Sequence, residues 1–241
     1  MKALLIKEIR SYLSSVIGYA SILVFLITTG LFIWVFPGNN NILEMGDATL
    51  QSFFSQAPGI LMFLIPAITM RYFAEEKRAG TIELLTTKPI SDLQIVLSKY
   101  LAGCFLTFIT LLPTLVYYVS ICYMGEVTGN IDHPSTIGSY LGLLLLSMTF
   151  VAIGTMSSSI ANNQVIAFII GLFFNFLFYA GFTIIASIIR PPLDYVFLKI
   201  SMLEHFIAIK RGIIDSRDII YFFSVIILTL YITKVIFSHK K

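Results

Sequence analysis

Few residues in this sequence are of types that do chemistry, and their spacing limits how far each can go. The histidines, His133, His205 and His239, lie far apart, and Glu204 stands beside His205. Such a pair suggests a metal or proton site, but neighbouring helical residues point about 100° apart and do not converge on one ligand. No HExxH, CxxC or GxxxxGK[ST] pattern occurs, so no metal, no cofactor and no ATP hydrolysis by the chain itself is expected, and the chain is not expected to be an enzyme. Cys104 and Cys122 share one apolar run; 18 helical residues separate them by about 27 Å, far beyond disulfide reach. That leaves one polar island, EEKRAGTIELLTTKPIS, residues 75–91, between two apolar runs.

Within the island, Gly80 and Thr81 read as a helix start. Thr81 suits an N-cap, and Glu83 falls in the first turn, where a helix dipole favours an acid. Ile82, Leu84 and Leu85 supply an apolar side, and Pro89 stops the helix while restricting Lys88. The spacing predicts a helix of about two turns over 81–87, too short to stand alone in water. It must rest on membrane helices on one side and a partner on the other; the alternative is a solvated loop with one helical turn.

The elements that position this island are read from composition. Of the 241 residues, 57% are hydrophobic and 12% charged. A soluble domain carries about 25% charged residues. The chain is therefore expected to be an all-α, polytopic membrane protein, 1–241 forming a single transmembrane domain. Six runs reach spanning length, at about 16–36, 53–72, 100–124, 137–157, 164–188 and 219–237. The first is expected to be a retained span rather than a cleaved signal.

Eleven of the sixteen Lys and Arg residues fall near the two termini or between spans two and three. Positive loops face the cytoplasm, so both termini and the island are expected inside. A net charge of +3 carries no argument for nucleic acid. The five exceptions, Arg190, Lys199, Lys210, Arg211 and Arg217, all lie between spans five and six. Apolar residues from Phe197 to Ile209 recur there at near-helical spacing, which fits an amphipathic helix at the membrane interface. The alternative is a miscounted span with this region cytoplasmic. A second surface helix is expected before span one, with Leu4, Leu5, Ile9 and Leu13 on one face and Lys7, Glu8 and Arg10 elsewhere.

No Asp or Glu lies inside an expected span, and the basic residues within their bounds, Arg71 and Lys234, are near ends. Ion-coupled secondary transporters need ionisable groups at membrane depth, so that class is disfavoured. A spanning chain without its own energy source is either passive or driven by a partner. The island is the only sizeable docking surface expected inside.

The residues Glu76, Gly80, Thr81, Ile82, Glu83, Leu84, Leu85 and Pro89 form E-x-x-x-G-T-I-E-L-L-x-x-x-P, which resembles the cytoplasmic motif of type-2 ABC transporter permeases. The next stretch, SDLQIVLSKYL, resembles the same family, Lys99 included. So does a pattern before the last span, carried by His205, Phe206, Gly212, Ile213, Ile214, Asp215, Arg217, Asp218 and Tyr221. Within the family, MKALLIKEIRSYLSSVIGYA, GLFIWVF and FLIPAITMRYFAEEKRAGTIELLTTKPIS are similar to the permease of the gliding-motility transporter of Bacteroidetes. The resemblance implies two permease chains, identical or related, in the bacterial inner membrane, with separate ATPase subunits below. It implies that the short helix between spans two and three couples the two, through Glu76, Gly80, Thr81, Glu83, Leu84 and Leu85. It also implies extracytoplasmic helices between spans five and six, which keeps the five basic exceptions outside. Two readings of function stay open: ATP-driven export of an unknown substrate, or a non-transporting scaffold driven by the same ATPase.

Overall fold

A computed structural model describes residues 1–38, 40–81, 90–125, 131–212 and 215–239. Among them six helical stretches are long and apolar enough to cross a membrane: Val16–Val35, Gln51–Arg78, Asp92–Met124, His133–Ile160, Gln164–Ile188 and Ser216–His239. The protein is an all-α, multi-pass membrane protein, as its composition requires. The second, third and fourth spans run beyond their apolar cores. Ala, Glu, Lys and Arg are strong helix formers, so the helix carries on where hydropathy ends.

Helix α1, Lys2–Leu13, precedes the first span. Its buried seam is Leu4, Glu8 and Tyr12, one residue per turn, with Leu5, Ile9 and Leu13 half-buried beside it. The sequence reading set Glu8 on the polar face; the structure turns it inward. Ser15 caps α2, Val16–Gly30, accepting from the Gly18 amide at 3.1 Å. The α1–α2 corner is tight: a Cβ on Gly18 would stand 2.2 Å from the Tyr12 carbonyl oxygen. A π-turn, Leu31–Val35, and a short helix α3, Ile42–Met45, follow.

The second span is α4, Gln51–Thr69, with Pro58 and Pro66 inside, then a break at Met70, then α5, Arg71–Arg78. The third is α6, Asp92–Leu111, a 3-10 turn at Pro113, and α7, Leu115–Met124. The fourth, α8, His133–Ile160, is the central post and meets α4, α5, α6 and three later helices. Its buried hydroxyls bond back to their own helix: Thr149 to Leu145, Thr155 to Val151 and Ser157 to Ile153, at 2.9, 2.7 and 2.9 Å. Small back-bonded side chains let helices approach closely without orphaned polar groups.

The fifth span, α9, Gln164–Phe176, passes through a π-turn into α10, Phe182–Ile188. Two short helices, α11, Leu193–Ile200, and α12, Met202–Lys210, lead to the last span, α13, Ser216–His239. The single interfacial helix expected from sequence is thus two helices, broken at Ser201, whose side chain caps the second. One end of the bundle holds α1, α5 and the ends of α8 and α13; there the Phe73 and Phe237 rings lie 5.4 Å apart. The other end holds α3, α11, α12 and the starts of α8 and α13. Arg71, Lys77, Arg78 and Lys99 sit at the α1 end, and Lys210 and Arg211 at the other.

Candidate coupling site at the α1 end

The island from the sequence begins inside α5. That helix stops at Gly80, whose φ of +67° only glycine adopts without strain. The Gly80 amide donates to the Lys77 carbonyl at 3.2 Å, and the Thr81 amide to Glu76 at 3.0 Å. This six-to-one pattern is a Schellman stop. Gly80 therefore ends the preceding helix, because the apolar run before it continues as helix through four charged residues; the helix expected over 81–87 falls, from Ile82 on, outside the described residues. Thr81 is exposed and turns its hydroxyl back to the Glu76 carbonyl at 3.3 Å. Glu83, Leu84 and Leu85, with the rest of 82–89, lie outside the described residues. The chain is next described at Ile90, and Ser91 opens α6 with a reciprocal capping box to Gln94. The segment is thus bounded by a helix stop and a helix start.

Both flanking helices meet one buried cation. Lys99, on α6, is 1% exposed. Its ammonium donates to Glu76 on α5 at 2.9 Å and to Glu8 on α1 at 3.2 Å, and lies 5.3 Å from the Phe73 ring centre. Lys7, exposed at the surface, stands 3.9 Å from Glu76 and supplies the second positive charge that two carboxylates require. Outside this group, Arg71 pairs with Glu75 at 3.1 Å, at the edge of a crevice of about 350 Å³. Burial, with Glu8 a lesser cause, pushes the Tyr12 phenol far above its ordinary range; it stays protonated and donates to the Ile68 carbonyl.

A second set of bonds fixes α5 to α8. At the Met70 break, the Ser158 hydroxyl accepts from the amides of Phe73 and Ala74 at 3.0 and 3.2 Å and donates to the Met70 carbonyl at 3.0 Å. A neighbouring Ser thereby satisfies the backbone groups that a broken helix would leave bare in lipid. Lys77 donates to the carbonyls of Ser159 and of Ala161, the latter at 3.1 Å, which places a cation on the negative end of α8. So α5 is tied to α1, α6 and α8, and in sequence it lies just before 82–89. This arrangement can carry displacement; it holds no constellation for bond chemistry, and among the described residues no cluster of metal-ligating side chains occurs.

The opposite end explains the pattern before the last span. His205 turns away from Glu204: its Nδ1 lies 2.6 Å from the Asp218 carboxylate and its Nε2 3.0 Å from the Lys199 carbonyl. Its ring stacks on Tyr221 at 3.9 Å, and the Tyr221 hydroxyl donates to the Ile200 carbonyl. Asp215 accepts from the Arg217 amide at 2.9 Å at the start of α13, and Phe206 is buried. Ile213 and Ile214 lie outside the described residues. The motif thus clasps α11 and α12 to α13. His205→Leu strands Asp218, itself only 8% exposed, at a cost of about 1–3 kcal/mol. The expected readout is faster proteolysis of the connection between spans five and six, with the spans themselves still protected.

These features define a class: a helical multi-pass membrane protein with a braced helix at one end and a clasped pair of short helices at the other. The family model for ABC-2 family transporter proteins matches residues 44–237, and the chain belongs to that family. The family is that of ABC transporter membrane components and implies an ABC ATPase partner. No curated protein matches the chain.

Sequence reasoning found Glu76 but not its partners. Lys99 counted as a loop charge and Glu8 as surface. The one local signal is that Glu8 falls at the middle of the Leu4–Glu8–Tyr12 spacing and so turns inward, which does not name its partner.

Proposed function

We propose that this chain is the permease subunit of an ATP-driven complex in the bacterial inner membrane. Its α1 end and both termini face the cytoplasm. ATP hydrolysis by a separate ATPase drives it through residues 82–89, with Glu76, Gly80, Thr81, Glu83, Leu84 and Leu85 as the coupling contact. The observation that carries this reading is Lys99. It ties together the two helices that flank the segment and anchors both to α1, so a push on 82–89 moves three elements together. The charge distribution supports the orientation, since the basic residues concentrate at the α1 end. A second permease chain, a copy or a relative, and membrane lipid cover the outward apolar faces.

For the task performed, the stretches that resemble the gliding-motility permeases supply Glu8 on α1 and Glu76 on α5, the acids of the buried triad. This favours a gliding-motility role, by export or as a scaffold that transmits force. Isolation in mild detergent should bring down an ABC ATPase with the chain. Reconstituted vesicles then separate the two roles: ATP-dependent movement of lipid or solute supports export, and turnover without movement supports the scaffold. A chain that comes down without an ATPase, yet supports motility in cells lacking one, overturns both.

A further inference from the structure

The end of the bundle opposite α1 carries a groove of about 520 Å³ between the starts of α4 and α8 and the end of α12. Its floor is apolar, with Leu50 and Phe54 buried there, and its rim carries Lys210 and Arg211. Lys210 is held at both ends. Its carbonyl accepts from the hydroxyls of Ser135 and Ser139, each at 3.1 Å. Its ammonium donates to the Ser55 hydroxyl at 2.6 Å, while Ser55 spends its own proton on the Gln51 carbonyl at 2.8 Å. Among the described residues no acid pairs with Lys210 or with Arg211. The one carboxylate on the lining, Asp132, is engaged by the Ser135 amide at 3.1 Å, capping α8.

A half-buried ammonium bonded to a neutral hydroxyl alone is an unfavourable arrangement for a protein to keep. Burial accordingly lowers the Lys210 pKa. A fixed point charge beside a planar guanidinium fork, above an apolar floor, is a preorganised receptor for an anion with several oxygens. We propose that this groove binds a phosphate group, held by Lys210 and Arg211. The phosphate belongs either to the headgroup of a membrane lipid, whose chains would lie along the apolar floor, or to a free anion from the aqueous side. Two of the five basic residues that break the charge rule between spans five and six thereby gain a purpose. The proposal stands apart from the ATPase, and it holds or fails whatever drives the complex.

The test uses the full chain in detergent and follows its unfolding temperature. The probes are inorganic phosphate, a short-chain phosphatidylglycerol below its micellar concentration, and the matching diacylglycerol. At about one hundred times Kd, a bound probe should raise the midpoint by about 5 °C. A shift with phosphatidylglycerol alone assigns a lipid headgroup; a shift with inorganic phosphate as well assigns the bare anion. Diacylglycerol should do nothing. Lys210→Gln should weaken binding at least tenfold. Arg211→Gln, at an exposed position that leaves the packing untouched, should weaken it in the same direction and serves if the first variant does not fold. No shift with either phosphate probe, an equal shift with diacylglycerol, or full binding by Arg211→Gln would overturn the assignment.

Discussion

Lys99→Met should lower the unfolding temperature of the detergent-solubilised protein by about 10 °C. The change leaves Glu8 buried and Glu76 half-buried with only the exposed Lys7 ammonium, 3.9 Å or more away, to answer two carboxylates. Removing one partner of a buried ion pair costs about 3–5 kcal/mol. For a chain of this size each kcal/mol moves the midpoint by about 2–4 °C. The triple change Lys99→Met, Glu8→Gln, Glu76→Gln should recover most of the loss, because a neutral set of similar volume often replaces a buried ionic one without penalty. A midpoint within a degree of the parent for Lys99→Met alone would mean that the triad is not buried as described.

The second large effect concerns coupling rather than stability. Glu76→Gln keeps a carbonyl oxygen for the Lys99 ammonium to bond, so α5 and α6 stay packed. It removes the carboxylate charge that pairs with Lys99 and faces Lys7. Coupling free energies between distant sites run at about 1–3 kcal/mol, or 5–150-fold. The expected result is a complex that assembles and hydrolyses ATP, with work per ATP reduced at least fivefold. Work is read as solute or lipid moved in vesicles, or as gliding speed in cells. Unchanged work per ATP would remove Glu76 from the transmission route and leave it a structural ion pair.

Much of the fold was legible because lipid leaves a helix few choices. Every backbone group must be satisfied within the span, so apolar run length alone locates the crossings. What it does not locate is where a helix ends in water. There the decision passes to propensity and capping, and α5 continues through Glu75, Glu76, Lys77 and Arg78 to Gly80. The polar island stands out in the sequence as one feature, yet in the structure it divides into the end of a helix, a glycine stop and the residues beyond.

The triad was illegible for a different reason. Glu8, Glu76 and Lys99 are separated by 91 residues at the extremes, and nothing local to any one of them announces the others. Hydropathy treats each as a surface charge, and only packing shows that they neutralise one another. His205 is the converse. Sequence offered Glu204 as its neighbour, whereas the turn at Gly212 and the Asp215 cap bring Asp218 to it from the next helix.

The central claim is that energy enters this membrane subunit through residues 82–89. Its most direct test is co-purification of the ATPase with Glu83→Lys, Leu84→Asp, a variant that reverses one charge and breaks the apolar side of the segment. The account predicts that the variant inserts in the membrane and unfolds at the parent temperature but brings down no ATPase. Undiminished ATPase recovery with this variant, in the same detergent and at the same expression level, would contradict it.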